Sequence, residues 1–206
     1  MLSIQIKPIS SGSNAAKYYF AKDNYYFSSK LETSWQGEAS NRLGLKGEVQ
    51  LDDLEKMLDG RLPNGVVVGN DSHRCGYDLT FCASKSHSYL ALVCGKREFI
   101  EIHNKAVKTV LNLIQEHAAE ARKTINGDLT FEKTKNLSFA TINHDTSRDL
   151  DPFLHTHALL MNLTQRLDGE WRALASDISQ NHGTMEWISK NKIFLALPEF
   201  RWYDKI

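Results

Sequence analysis

The sequence predicts an α+β fold, an antiparallel sheet with helices packed on one side of it. Three observations carry this prediction. Short runs rich in strand formers recur along the chain, one long amphipathic helix stands out, and few strand–helix–strand crossover units are visible, which disfavours a parallel sheet. With 206 residues the chain can bury a core of its own as one domain, 1–206, and no internal repeat or low-complexity stretch divides it.

Residues 2–7 alternate like a short strand that ends at Pro8, ahead of the run SSGSN. Ser13 or Asn14 then offers a side-chain cap for a helix through Ala15, Ala16 and the aromatic stretch that follows. Leu51, Leu54, Met57 and Leu58 recur at helical spacing, and Gly60 suits the end of that helix. Residues 66–68 and 77–83 read as strands, whereas 89–93 is an apolar run suited to opening the next helix. That helix is the clearest element. Over residues 98–122, Phe99, Ile102, Ala106, Val110, Leu111, Ile114 and Ala118 form one apolar stripe, with Lys, Glu and Asn opposite. Residues 129–131, 137–143 and 155–164 supply further strands, Gly169 marks a turn, and 184–197 returns to a helical pattern.

Composition narrows the function. Lysine plus arginine and aspartate plus glutamate balance at 25 each, so any contact with DNA must use a local patch rather than a bulk positive field. The first residues lack the apolar core of a signal peptide and no later stretch is long enough to span a bilayer, so a cytoplasmic protein without membrane insertion is expected. Cys75, Cys82 and Cys94 are odd in number and have no C-x-x-C spacing, which points to reduced thiols rather than a disulfide framework or zinc ribbon.

The chemistry concentrates in HDTSRDLDPFLHTHA. His155 and His157 are two apart, so on a strand they share one face. A hairpin with the strand ending at His144 brings a third imidazole opposite them. Three neutral imidazoles leave coordination positions open, the arrangement of a catalytic rather than a structural metal site. At the other end, KYYFAKDNYYF holds Tyr18, Tyr19, Tyr25 and Tyr26. Pairs seven residues apart share a helical face if the helix continues, although Asp23 and Asn24 are able to break it. Such tyrosines either pack their rings and show their hydroxyls to water or, beside a cation and a base, act as nucleophiles. Asp78, in the strand-like GYDLTFCA, must find a partner if buried. The second nitrogen of a metal-ligating histidine and a tyrosine hydroxyl are the candidates, and an edge carboxylate in water is the alternative.

The tyrosine pairs, GYDLTF and the ordered HDTSRD and LHTHA together resemble the relaxase domain of conjugative plasmids, in particular the F-type (MobF) class whose relaxase is fused to a helicase. KDNYY, SWQG, LGLKGEV, DGRLPNG, HNKAV, GEWRALASD and NKIFL extend the likeness over nearly the whole chain. The resemblance implies the HUH endonuclease fold, a central antiparallel five-stranded sheet carrying the histidine site, circularly permuted so that the tyrosines come first. It implies Tyr18 as the main nicking nucleophile, with Tyr19, Tyr25 and Tyr26 available for a second transesterification. His144, His155 and His157 match the metal ligands, and Asp78 the acid that polarises a ligating histidine or accepts the tyrosine proton. Arg148 matches an arginine suited to a phosphate oxygen.

The implied reaction is nicking and rejoining of single-stranded DNA at an origin of transfer, through a 5′-phosphotyrosyl intermediate. Because the nucleophile is a side chain, Mg2+ or Mn2+ suffices, although nitrogen ligands by themselves favour Zn2+ or Ni2+. Conjugative accessory proteins and, in a longer protein, a fused helicase are the implied partners. Family domains continue past the point reached by LALPEFRWYDKI, so a domain short or truncated at its C-terminus is expected. Such a domain should bind the metal and cleave, yet hold DNA less tightly than a longer one. Two other readings use the same residues: a catalytically impaired remnant serving as a DNA-binding module, and a different three-histidine metal-dependent hydrolase.

Overall fold

The computed structural model describes residues 3–20, 32–69 and 74–175. In chain order the elements are β1 (Ser3–Ile9), α1 (Gly12–Phe20), β2 (Thr33–Gln36), α2 (Glu38–Arg42), α3 (Leu51–Leu58), β3 (Gly76–Cys82), α4 (Lys85–Leu92) and α5 (Glu98–Ala118). They continue with β4 (Glu120–Ile125), β5 (Asp128–Lys133), β6 (Phe139–Thr146), β7 (Pro152–Met161), β8 (Thr164–Gln165) and β9 (Trp171–Arg172). Five strands form one sheet in the order β1-β3-β7-β6-β2, and every neighbouring pair is antiparallel. The α+β class and the five-stranded antiparallel sheet therefore stand as expected.

The strands are apolar at both parities, so both faces of the sheet need cover. Tyr77, Leu79, Phe81, Phe139, Ala158 and Leu160 point to one face and pack under Val107, Val110, Leu111 and Ile114 of α5. Ala140, Ile142, Leu159 and Met161 point to the other, where they meet Leu54, Met57 and Leu58 of α3 and Ala16 and Tyr19 of α1. Each fully buried Leu, Ile or Phe in these two layers contributes about 1.5–3 kcal/mol. The expectation of helices on one side is corrected: the sheet is sandwiched, because the near-continuous apolar runs of β3 and β7 leave no wettable face.

Several local expectations are also corrected. The start of α1 is capped by Ser11, whose Oγ accepts from the Asn14 N–H at 3.4 Å and whose carbonyl accepts from Ala15 N, not by Ser13 or Asn14. Residues 66–68 form no strand. They fold back on the end of α3 through a single bridge between Arg61 and Val67, and Val68 alone enters the core. Residues 89–93 fall largely in α4, which Ser84 caps through the His87 N–H and which is separate from α5. The long helix stops at Ala118, short of residue 122, because Asn126–Gly127 forces a tight hairpin turn (φ 52° and 93°) and draws residues 120–125 into a ribbon with β5. Residues 129–131 thus belong to that ribbon rather than to the main sheet. Gly169 does mark the turn between β8 and β9 (φ 87°), and β1 runs through Pro8, which an edge strand tolerates. The helix expected over 184–197 lies outside the described residues.

The candidate metal and tyrosine centre

Antiparallel pairing of β6 and β7 sets His144 directly across from His155, and the register places His157 opposite Ile142 one step along the same face. On the other side of β7, Thr80 of β3 pairs with His157 and Asp78 with Leu159. Three adjacent strands thus present His144, His155, His157, Thr80 and Asp78 to the face covered by α1. The ring centres of the three histidines are 5.3, 5.3 and 5.1 Å apart, nearly an equilateral triangle.

Hydrogen bonds fix which nitrogens face inward. His157 Nδ1 lies 2.9 and 3.0 Å from the two carboxylate oxygens of Asp78, which can only accept, so Nδ1 carries a proton. His155 Nδ1 donates to the Phe153 carbonyl at 2.9 Å by the same logic. In the neutral ring each then keeps its Nε2 lone pair for a ligand, the usual way a second partner sets the tautomer of a ligating histidine.

Among the described residues no group of three His, Cys, Asp or Glu side chains already stands clamped for a metal ion. The rings of His144 and His155 lie nearly stacked at 22° instead of aiming at one point. The spacing is nevertheless that of a metal site. A metal about 2.1 Å from an imidazole nitrogen lies about 3.2 Å from the ring centre, so three tetrahedrally arranged ligands have ring centres about 5 Å apart. The terminal torsion of histidine is soft, so ring rotation is a low-cost route from one arrangement toward the other. The donor set fits a divalent cation.

Asp78 is buried, and its carboxylate also accepts the Tyr19 hydroxyl at 2.7 Å and the Thr80 hydroxyl at 3.2 Å. Tyr19 packs its ring 4.8 Å from that of His157. Burial first, then the Asp78 carboxylate, push the Tyr19 phenol well above its ordinary range. Tyr18, one position earlier and therefore about 100° around α1, is 52% exposed and meets Tyr19 edge-on at 5.1 Å. Arg148 lies exposed in the β6–β7 turn, where Ser147 Oγ accepts the Asp149 and Asp151 N–H groups. Among the described residues it makes no hydrogen bond to the histidines or to Asp78. Tyr25 and Tyr26 lie outside the described residues.

Sequence reasoning missed Thr80, whose only signal was its place two residues after Asp78 on the same strand face. Trp35 on β2 is buried in the core. The three cysteines are free thiols, as expected, and no described helix is long and apolar enough to cross a membrane.

Comparison with known proteins agrees with this geometry. The TrwC relaxase family model matches residues 12–197. The multifunctional conjugation protein TraI of Escherichia coli is 40% identical over 198 residues, covering 94% of this chain and 11% of its own length. The TraI protein of Escherichia coli strain K12 is 40% identical over 195 residues, with 92% and 11% covered. Among solved structures, a metal-bound conjugative relaxase TrwC in complex with oriT DNA superposes with a TM-score of 0.79 at 36% identity, covering 95% of this chain and 65% of that one. TrwC with a 27-mer DNA comprising the recognition hairpin and the cleavage site gives 0.77 at 35%, with 95% and 64% covered. The chain therefore spans about a ninth of the TraI proteins and about two thirds of the TrwC chains.

Proposed function

The chain belongs to the TrwC relaxase family, and from that premise we propose that it nicks and rejoins one strand of DNA at a plasmid origin of transfer during conjugation. The observation that carries the reading is the convergence of three imidazoles with the Asp78–Tyr19 pair beneath the helix that bears Tyr18. His144, His155 and His157 would hold a divalent cation, Mg2+ or Mn2+, which when bound neutralises charge on the scissile phosphate.

Tyr18 serves as nucleophile because its ring is exposed enough for a single strand to reach. Its oxygen bonds to phosphorus as the bond to the 3′ oxygen breaks, leaving a 5′-phosphotyrosyl link and a free 3′ hydroxyl. The phenol proton is lost and the departing 3′ oxygen gains one, so no nucleotide cofactor is consumed. Rejoining is the same exchange reversed. Asp78 already accepts from His157 and Tyr19, which favours an orienting role for it over direct removal of the Tyr18 proton. Tyr19 holds that carboxylate in place, while Tyr25 and Tyr26 are the reserve for a second transfer. Arg148, in its exposed turn, is free to meet a phosphate oxygen of an arriving strand.

Single-stranded origin-of-transfer DNA is the substrate in this reading. Accessory proteins of conjugation and a helicase in a longer polypeptide are partners, and the bacterial cytoplasm is the place of action. Incubation with Mg2+ or Mn2+ and a labelled single strand carrying the cognate nick site should give a denaturant-resistant protein–DNA adduct that chelation abolishes and added metal restores. Cleavage without an adduct would indicate a hydrolase, and binding without cleavage an impaired remnant.

A further inference from the structure

The face of the sheet opposite the histidines carries a second set of polar groups, buried at His103, Thr156 and Asn143 and reaching the surface at Glu32. Asn143 follows Ile142 and precedes His144 on β6, and Thr156 lies between His155 and His157 on β7. The two are paired across the ladder and point away from the histidines. Thr156 Oγ1 donates to Asn143 Oδ1 at 2.7 Å. Asn143 Nδ2 in turn lies 3.1 Å from Asn104 Oδ1 and 3.3 Å from Glu32 Oε2. A carboxylate can only accept, so the amide is fixed with its NH2 toward Glu32 and its oxygen toward Thr156. The Thr156 proton is thereby committed, and the hydroxyl must accept from His103 Nε2, 2.9 Å away on α5.

His103 is 2% exposed, and burial holds it neutral. A directed chain therefore runs from α5 through Thr156 and Asn143 to Glu32. Burying polar groups where apolar ones would pack costs stability unless every partner is aligned, so such a chain selects one geometry. Its two central members are covalent neighbours of all three histidines.

We propose that Thr156, with His103 and Asn143 behind it, is a positioning residue for the metal centre, holding β6 and β7 at the register and pleat that space the three imidazoles around a common centre. This rests on the metal reading above. The Thr156 hydroxyl is what matters in it, and the methyl group is packing.

The test uses cobalt(II) as a spectroscopic probe on the whole chain, with the visible absorption band reporting coordination geometry and its titration reporting affinity. Thr156→Val keeps the shape and loses the hydroxyl, and should weaken cobalt binding by about tenfold or more and alter the band. Thr156→Ser keeps the hydroxyl and loses the methyl, and should stay within about threefold of the unsubstituted protein with the same band. If Thr156→Val does not fold, His103→Gln, which retains a donor at the Nε2 position, is compared with His103→Leu, which does not, and the same contrast is expected. A loss in the serine or glutamine variant equal to that in its partner, or no loss in either, overturns the proposal. Absence of any cobalt band from the unsubstituted protein overturns the metal reading itself, and this inference with it.

Discussion

At Asp78 one buried carboxylate serves a histidine, a tyrosine and a threonine at once. Asp78→Asn keeps the volume but removes the charge that fixes the His157 tautomer. Nicking should fall about 10- to 100-fold, with weaker metal binding measured by titration. Tyr19→Phe removes only the 2.7 Å hydrogen bond and should still form the covalent adduct, because the buried Tyr19 phenol is the less reactive of the pair. His103 is a pH sensor of stability. Burial, with His87 and His155 nearby, lowers its pKa from 6.5 to about 3, so the folded protein keeps it neutral where the unfolded chain takes up a proton. Above pH 6.5 it contributes nothing. As pH falls from there toward 3, unfolding binds a proton and stability declines by about 1.4 kcal/mol per pH unit from this group. Urea midpoints measured across that range should drop, and His103→Gln should flatten the decline.

Among the elements, β2, α2 and β6 meet at Gly37. Its φ is +94°, and a Cβ there would lie 2.2 Å from the Leu137 carbonyl oxygen just before β6. Gly37→Ala should cost at least about 2 kcal/mol, read as a lower urea midpoint with an unchanged slope. The strands that build the site were legible in the sequence, because LSFATINH alternates over strand formers and the H-x-H spacing puts two imidazoles on one strand face. Asp78 was legible only as an acid that needs partners if buried, and its burial became plain with β3 set between β1 and β7. The end of α5 was overrun, since the apolar stripe continues in pattern through Ala121 and Ile125 while the local Asn126–Gly127 hairpin turn draws residues 120–125 into a ribbon with β5. His103 hid for the opposite reason. It sits on the buried stripe, four residues after Phe99 and four before Val107, where an imidazole reads as one more core side chain until its partner on β7 is known.

For the whole molecule, charge balance and two-sided cover of the sheet set what DNA binding can look like. With 25 basic and 25 acidic residues the chain has no general attraction for nucleic acid, so a single strand must be held by a few local phosphate contacts. Its affinity should decline with salt on a slope shallower than about −4 in log–log form, corresponding to fewer than about six phosphates. Two-sided cover places the histidines on the α1 face, while α5 leaves a cleft against β2 and β6 on the other, and that topology could not be read from periodicity alone. In the proposed reaction Tyr18, beside the three-histidine site, becomes covalently joined to DNA. The most direct measurement is peptide mass spectrometry of the adduct formed with a cognate single strand and Mg2+ or Mn2+. The 5′ phosphate should map to Tyr18, and Tyr18→Phe should abolish the first adduct. A phosphate on another residue, or an undiminished adduct from Tyr18→Phe, would contradict the account.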